Sequence, residues 1–283
     1  MITDETVLEA ARRDALAAAH AAGLDIAELS ELADQRRAYR LFQEIWRAKP
    51  GSEPMTVELM RVLDHAGGYV AGAFRADIMV GASVGFLAAP IGRALHSHVA
   101  GVSAQAQGRS AGYALKLHQR VWALVRGLDT ITWTFDPLVR RNAYFNLAKL
   151  AALPAEYLPD FYGPMADEIN DSAPSDRLLV HWDLADPAVA EACALRPLVP
   201  DTAGARALLS EVDGRPVRHE TTAATVLVAV PSDVEALRGN DPGLAADWRF
   251  AVRDTLGEEL ERGSRVTGFL RAGSYVISRK DHA

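Results

Sequence analysis

The chain has one cysteine, Cys193, in 283 residues. That excludes an intramolecular disulfide and a cysteine-rich zinc site, and a reducing, cytoplasmic setting is the expectation. It also lacks any run of about 18 apolar residues, so nothing reads as a membrane span. Residues 1–22 lack the apolar core of a signal peptide, because Val7, Ala11, Leu16 and Ala18 sit among Glu9, Arg12, Arg13 and Asp14. They read instead as an added amphipathic helix. Positive charge is in deficit as well: the net charge of -7 argues against a nucleic-acid footprint, which needs a basic face. What the chain does have is apolar content, 49% of its residues, enough for one large core or two small ones. A small-molecule partner is the expectation.

Residues 95–150 carry the most information. They read as a strand holding His96 and His98, a glycine-bearing turn, an amphipathic helix, a second strand at 130–135 and a helix at 140–150 that carries Asn142 and Asn146. The turn is Gln107-Gly108-Arg109-Ser110-Ala111-Gly112. Small residues before a helix let several backbone N–H groups converge on an anion, where the helix dipole also favours negative charge. Upstream, 24–29 reads as a strand, 34–47 and 56–65 as helices, and 69–74 and 78–87 as antiparallel strands joined by Arg75-Ala76-Asp77. Lys49-Pro50-Gly51 is the expected stop of the first of those helices. Downstream, 153–174 reads as a long aromatic loop, 176–183 as a strand and 185–201 as an Ala/Pro-rich connector. An α+β tail follows, with a strand at 223–230, a helix at 242–262 and strand character at 264–278. No internal repeat is visible.

The turn resembles the Arg/Gln-x-x-Gly-x-Gly/Ala signature of the GNAT (Gcn5-related) acyltransferases. Gln107-x-x-Ser110-x-Gly112 fits with a serine for the first glycine; Arg109-x-x-Gly112-x-Ala114 fits fully but begins two residues later. The first register is preferred for its distance from Val102. A wider likeness, to an uncharacterised branch of predicted GNAT superfamily acetyltransferases, rests on Leu95-His96-Ser97-His98, Gly112-Tyr113-Ala114-Leu115-Lys116, Thr132-Trp133-Thr134-Phe135-Asp136-Pro137-Leu138, Arg141-Asn142-Ala143-Tyr144-Phe145-Asn146 and Ser175-Asp176-Arg177.

The resemblance implies an α/β GNAT fold: a central mixed, mostly antiparallel sheet flanked by helices, with two neighbouring strands splayed apart. It implies a helical extension at 1–22, an acyl-CoA-binding domain at 23–184, and an α+β extension at 185–283 that completes the sheet, covers the acceptor side or pairs two copies as a homodimer. The implied activity is direct transfer of an acyl group, acetyl or larger such as succinyl, from acyl-CoA to the amine of a small molecule such as an amino acid. No metal is implied. A non-catalytic acyl-CoA-binding module and an acyl-CoA decarboxylase remain open beside it.

Roles follow residue by residue. Gln107, Gly108, Arg109, Ser110, Ala111 and Gly112 would hold the pyrophosphate, the backbone N–H near Val102 the thioester oxygen, and Asn142 and Asn146, one turn apart, the pantetheine amides. Period two puts His96 and His98 on one strand face, where an imidazole with a pKa of roughly 6.5 could take the proton of the attacking amine. Leu147 occupies the place where many members carry the tyrosine that protonates the thiolate, which leaves Tyr144, Tyr157 or Tyr162 as acid. Asp136, Tyr162 and Arg177 are the candidate substrate residues, Arg177 as a bidentate fork for a carboxylate. Lys116 is read as an ordinary helix-face charge. A covalent route through Cys193 is not expected, since it lies in the connector.

Overall fold

A computed structural model describes residues 5–47, 53–163 and 174–280. The expected stop at Lys49-Pro50-Gly51 and most of the far half of the aromatic loop lie outside the described residues. In chain order the elements are α1 (Glu5–Ala22), β1 (Asp25–Glu28), α2 (Leu32–Trp46), α3 (Val57–His65), β2 (Tyr69–Arg75), β3 (Ile78–Ala88), β4 (Ala94–Val102), α4 (Ala111–Val125) and β5 (Thr130–Phe135). Then follow α5 (Arg140–Ala143), which runs on as a π-turn at Tyr144–Lys149, β6 (Leu153–Leu158), β7 (Arg177–Asp183), α6 (Pro187–Cys193), β8 (Arg206–Val212), β9 (Arg215–Arg218) and β10 (Thr225–Ala229). The chain ends with α7 (Val234–Asn240), α8 (Pro242–Val252), a second π-turn at Arg253–Gly257, α9 (Glu258–Glu261), β11 (Arg265–Leu270) and β12 (Ser274–Ser278).

The contacts group into two compact units. One comprises Met1–Trp133 with Asp183–Ala194, the other Thr134–Met165, Asn170–Trp182 and Leu195–Ala283, each taken over its described residues. These divisions fall elsewhere than the 22/23 and 184/185 boundaries expected from the sequence. The N-terminal helix lies within the first unit, where α1 packs on α4.

In the first unit β1, β2, β3 and β4 pair antiparallel in sequence order, and β5 joins β4 in parallel. The class is the expected one, a mixed and mostly antiparallel sheet flanked by helices. Helices α2 and α3 bury Leu41, Phe42 and Met60 against Val70, Ala82 and Val84, while Ala111 and Leu115 of α4 pack with Ala73 and Val80 in a separate cluster. Those side chains recur at helical spacing, which is why 3.6-residue periodicity located the helices. Helix α4 departs from a one-faced reading: Lys116, Leu117, Gln119, Arg120, Ala123 and Leu124 are buried too, because α1 covers part of the surface the sheet leaves.

In the second unit β6 pairs with β7 antiparallel, and a five-stranded sheet has the order β11-β12-β10-β8-β9. Three expectations are corrected here and in α6. The segment expected to be loop from 153 begins as β6, hidden in the sequence by Pro154 and by a strand whose odd and even positions do not alternate in polarity. The connector at 185–201 contains α6, which the Asp186 carboxylate caps at the Ala188 N–H with Pro187 opening the helix, a start signal masked by the Ala-rich composition. The tail also contains β8, β9 and α7, and its long helix is interrupted by the π-turn at Arg253–Gly257.

Candidate functional site

The phosphate-binding candidate is built by the chain leaving β4. Ser103 N–H still bonds Val80 O at 2.9 Å; a short 3-10 turn at Ala104–Ala106 follows, and Gln107 and Arg109 N–H fold back on Ser103 and Ala106 carbonyls. Gly108 and Ser110 then adopt positive φ, +74° and +62°. For serine that conformation costs about 1 kcal/mol or more, and its hydroxyl does not cap the helix that starts at Ala111. The strain has a geometric result. The first helical bond is Ala114 N–H to Ser110 O, and among the described residues the N–H groups of Gly108, Ser110, Ala111 and Gly112 have no protein acceptor. Four unspent donors at the positive end of a 15-residue helix form an anion cradle. Gly112 borders it with room to spare: a Cβ there would meet only Val102 Cγ2, at 3.8 Å.

Strand β4 opens the sheet beside this turn. Its parallel ladder with β5 covers three pairs, Ala94 with Thr130, Leu95 with Ile131 and His96 with Thr132, and stops. Residues 97–102 have no partner from β5. On its other edge β4 bulges: Gly85 faces Ser97 and Val84 faces Val99, so His98 is the extra residue. The bulge breaks the period-two reading beyond His98. Ser97 accepts from Lys116 of α4, and Val102 joins the α4 cluster five residues later, while Gly101 abuts Ile45 and Trp46 of α2. His96 and His98 do share a side, since both rings lie against Phe86, at 5.3 and 5.9 Å between centroids. His98 is exposed, with Nε2 3.3 Å from Pro54 O; His96 is half-buried, with Nδ1 3.0 Å from Thr132 Oγ1. Burial, then His98, then Lys116 push the His96 pKa down to about 4, so His96 is neutral near pH 7 and a weak base.

Lys116 is not an ordinary surface charge. It is buried, its Nζ lies 3.7 Å from the centre of the Trp133 ring, and it donates to Ser97 Oγ at 2.9 Å and Gln119 Oε1 at 3.2 Å. Burial lowers its pKa to about 7. Unfolding restores the ordinary value of roughly 10.4, so between these values the unfolded chain binds a proton that the fold does not. Stability from this group therefore rises with pH through that window and is lost as pH falls toward 7. Lys116→Met should flatten the rise, which approaches ~1.4 kcal/mol per pH unit at most. Urea unfolding of both proteins at pH 7.5 and 9 measures it, and parallel pH dependence in the two would contradict a buried neutral lysine.

In the second unit the structure brings Asp136, Tyr162 and Arg177 together, but mainly on one another. Asp136 Oδ1 accepts the Leu138 N–H at 2.9 Å, and Oδ2 meets Arg238, Arg249 at 3.1 Å and Arg177 at 3.9 Å. Burial alone would raise its carboxyl; Arg249, Arg238, the Leu138 N–H and Arg177 outweigh that and hold it below the usual range. Arg177 also donates to Asp176 O and lies 5.3 Å from the Tyr162 ring centre. Asp136 is thus the shared acceptor of a buried ion cluster, with Arg177 one of its donors. Asp176 is spent likewise on Arg253, Tyr157 OH and the Asp160 N–H. Burial first, then the Asp176 carboxylate that accepts its O–H, raise the Tyr157 phenol well above its ordinary pKa.

Asn142 is part-exposed and Asn146 is buried, and the winding changes from α to π between them. Leu147 is wholly buried, Tyr144 opens the π-turn part-buried, and Tyr162 is half-exposed with its hydroxyl 3.1 Å from Thr134 Oγ1. Cys193 is buried in α6 and its thiol is pushed up to about 11, which makes it a poor nucleophile. The residues that sequence reasoning missed are Lys116 and the arginines of the tail. A signal existed for Arg249 and Arg253, four apart within a helical stretch otherwise apolar at Trp248, Val252 and Leu256.

No family model matches the chain, and no curated protein matches it. Solved structures do. An N-acetyltransferase from Staphylococcus aureus Mu50 shares 15% identity over 57% of this chain and 98% of its own, with a TM-score of 0.47. The ribosomal-protein-S18-alanine N-acetyltransferase of Escherichia coli shares 14% over 58% and 95%, with a TM-score of 0.46. A GNAT family acetyltransferase from Elizabethkingia anophelis with acetyl-CoA bound shares 13% over 57% and 98%, with a TM-score of 0.42. This chain is similar to these acetyltransferases over somewhat more than half its length.

Proposed function

We propose that the chain is a GNAT-type N-acyltransferase that moves an acyl group, acetyl in the first instance, from acyl-CoA to the amino group of a small molecule. The observation that carries the reading is the cradle of four unspent N–H groups at 108–112, beside a strand whose β5 ladder ends at His96. The cradle suits a pyrophosphate, and the unpartnered stretch of β4 suits an arm that hydrogen-bonds backbone as a strand would. The left-handed Ser110 directly before Ala111 supports the register that begins at Gln107.

In this reading the pantetheine amides bond the free edge of β4, and a backbone N–H near Val102 polarises the thioester carbonyl. The amine attacks that carbonyl, and His98, directly or through one water, takes the proton it sheds. The C–S bond then breaks, and the thiolate, with a conjugate pKa of roughly 8.5, leaves and is protonated by water. His98 is assigned as base over His96, whose lowered pKa leaves it little driving force at neutral pH.

His98→Ala should lower kcat by about 10²-fold while leaving acyl-CoA affinity within twofold. His96→Ala should cost less. Mass spectrometry with acetyl-, succinyl- and malonyl-CoA and pooled amines reads the reaction: acylated amine supports transfer, and carbon dioxide with altered acyl-CoA supports a decarboxylase. Turnover unchanged in both alanine variants returns the histidines to packing.

A further inference from the structure

Within the first unit α1 packs on α4 and buries Ala11. Further along that face of α1, Ala15 and Ala19 carry only methyl groups and Gly23 follows the helix with no side chain, so α1, α4 and the start of β1 leave a cavity of about 620 Å³ between them. Small-molecule sites span roughly 300–1,000 Å³. The walls are apolar, formed by Ala15, Ala19, Leu24 and Val121. Exposed Arg12, His20 and Asp25 border the opening with no single sign of charge, and Arg12 is already 2.6 Å from Glu9. His118 of α4 is the one polar lining residue that is not exposed.

The state of His118 follows from its neighbour. Tyr69 is wholly buried, and its hydroxyl lies 3.0 Å from His118 Nδ1, its partner among the described residues. Burial, then Glu28, raises that phenol far above its ordinary pKa, so the O–H is retained and donates to Nδ1 rather than going unpaired. Burial lowers the His118 pKa against the pull of Glu28, and a neutral ring that accepts at Nδ1 carries its proton on Nε2. Nε2 has no acceptor among the described residues and is not sealed, so an N–H donor opens into an otherwise apolar space.

We propose that this cavity binds a small uncharged molecule with an apolar body and one carbonyl oxygen, which accepts a hydrogen bond from His118 Nε2–H. A neutral donor among apolar walls favours a carbonyl over a carboxylate, because burying an ion there costs more than one hydrogen bond returns. A hydrocarbon of the same shape would leave the N–H unpaired. Strand β1 is the outer strand and β4 lies three strands away, so the cavity is separate from the 108–112 cradle and does not depend on the acyl-CoA reading.

Titration of the full ¹⁵N-labelled chain with acetophenone, followed by amide NMR, tests it. Saturable shifts should centre on residues 15–26 and 118–121. Ethylbenzene, which keeps the body and lacks the oxygen, should bind about tenfold more weakly, and benzoate, which adds a charge, should also bind more weakly. Ala19→Phe fills the cavity from α1 and should abolish the binding. His118→Phe keeps a ring but removes the donor, and should bring acetophenone down to the affinity of ethylbenzene. That variant also leaves the Tyr69 hydroxyl without its acceptor, so if it does not fold, the comparison of acetophenone with ethylbenzene on the wild type reads the donor by itself. Absence of saturable binding, equal affinity for acetophenone and ethylbenzene, benzoate bound as tightly as acetophenone, or unchanged binding in folded Ala19→Phe overturns the proposal. None of these results bears on acyl-CoA binding.

Discussion

Gly112→Asp should abolish acyl-CoA binding and leave the fold intact. The Cβ has space, since Val102 Cγ2 at 3.8 Å is its one near neighbour, and aspartate is tolerated in the first turn of a helix. The carboxylate then lies beside the donors of Gly108, Ser110, Ala111 and Gly112, where it satisfies N–H groups meant for the ligand and repels a pyrophosphate. Loss of those bonds together with like-charge repulsion amounts to several kcal/mol, on the order of a 10³-fold weakening. Calorimetry with acetyl-CoA, alongside circular dichroism for folding, reads the result. Wild-type affinity in a folded Gly112→Asp protein would remove the cradle from the donor site and the acyltransferase reading with it.

Asp136→Asn should be the most destabilising conservative change in the second unit, by about 3–5 kcal/mol, because it keeps the shape but leaves buried Arg177, Arg238 and Arg249 without their shared carboxylate. The comparison is Glu235→Gln, which breaks the exposed pair with Arg141 and should cost no more than about 1 kcal/mol. The acid limb gives an independent reading. The Asp136 carboxyl is held below its ordinary pKa in the fold, so its contribution is complete above roughly pH 4 and disappears as pH falls through the folded value. Asp136→Asn should therefore show a smaller loss of stability on acidification than the wild type. Equal cost for the two variants in urea would show that Asp136 is not the hub the ion pairs describe.

The local sequence determined much about this protein. Helical periodicity located α2, α3 and α4; the Arg75-Ala76-Asp77 turn set element ends; and the turn at 107–112 marked a helix start whose donors stay unspent among the described residues. Such features depend on neighbours in the chain, where propensity and spacing operate. Tertiary structure decided the rest. Whether His96 and Val102 share a face depended on a bulge at His98, which a partner strand imposes. Whether Lys116 is a solvated charge or a buried amine with its pKa near 7 depended on Ser97 of β4 and Trp133 of β5 packing against it. In the sequence Asp136 and Arg177 read as substrate contacts, because polar residues in motifs attract that reading. Arginines about 60 to 110 positions away converted them into a buried ion cluster, and such long-range charge pairing leaves no periodic trace for a sequence to show.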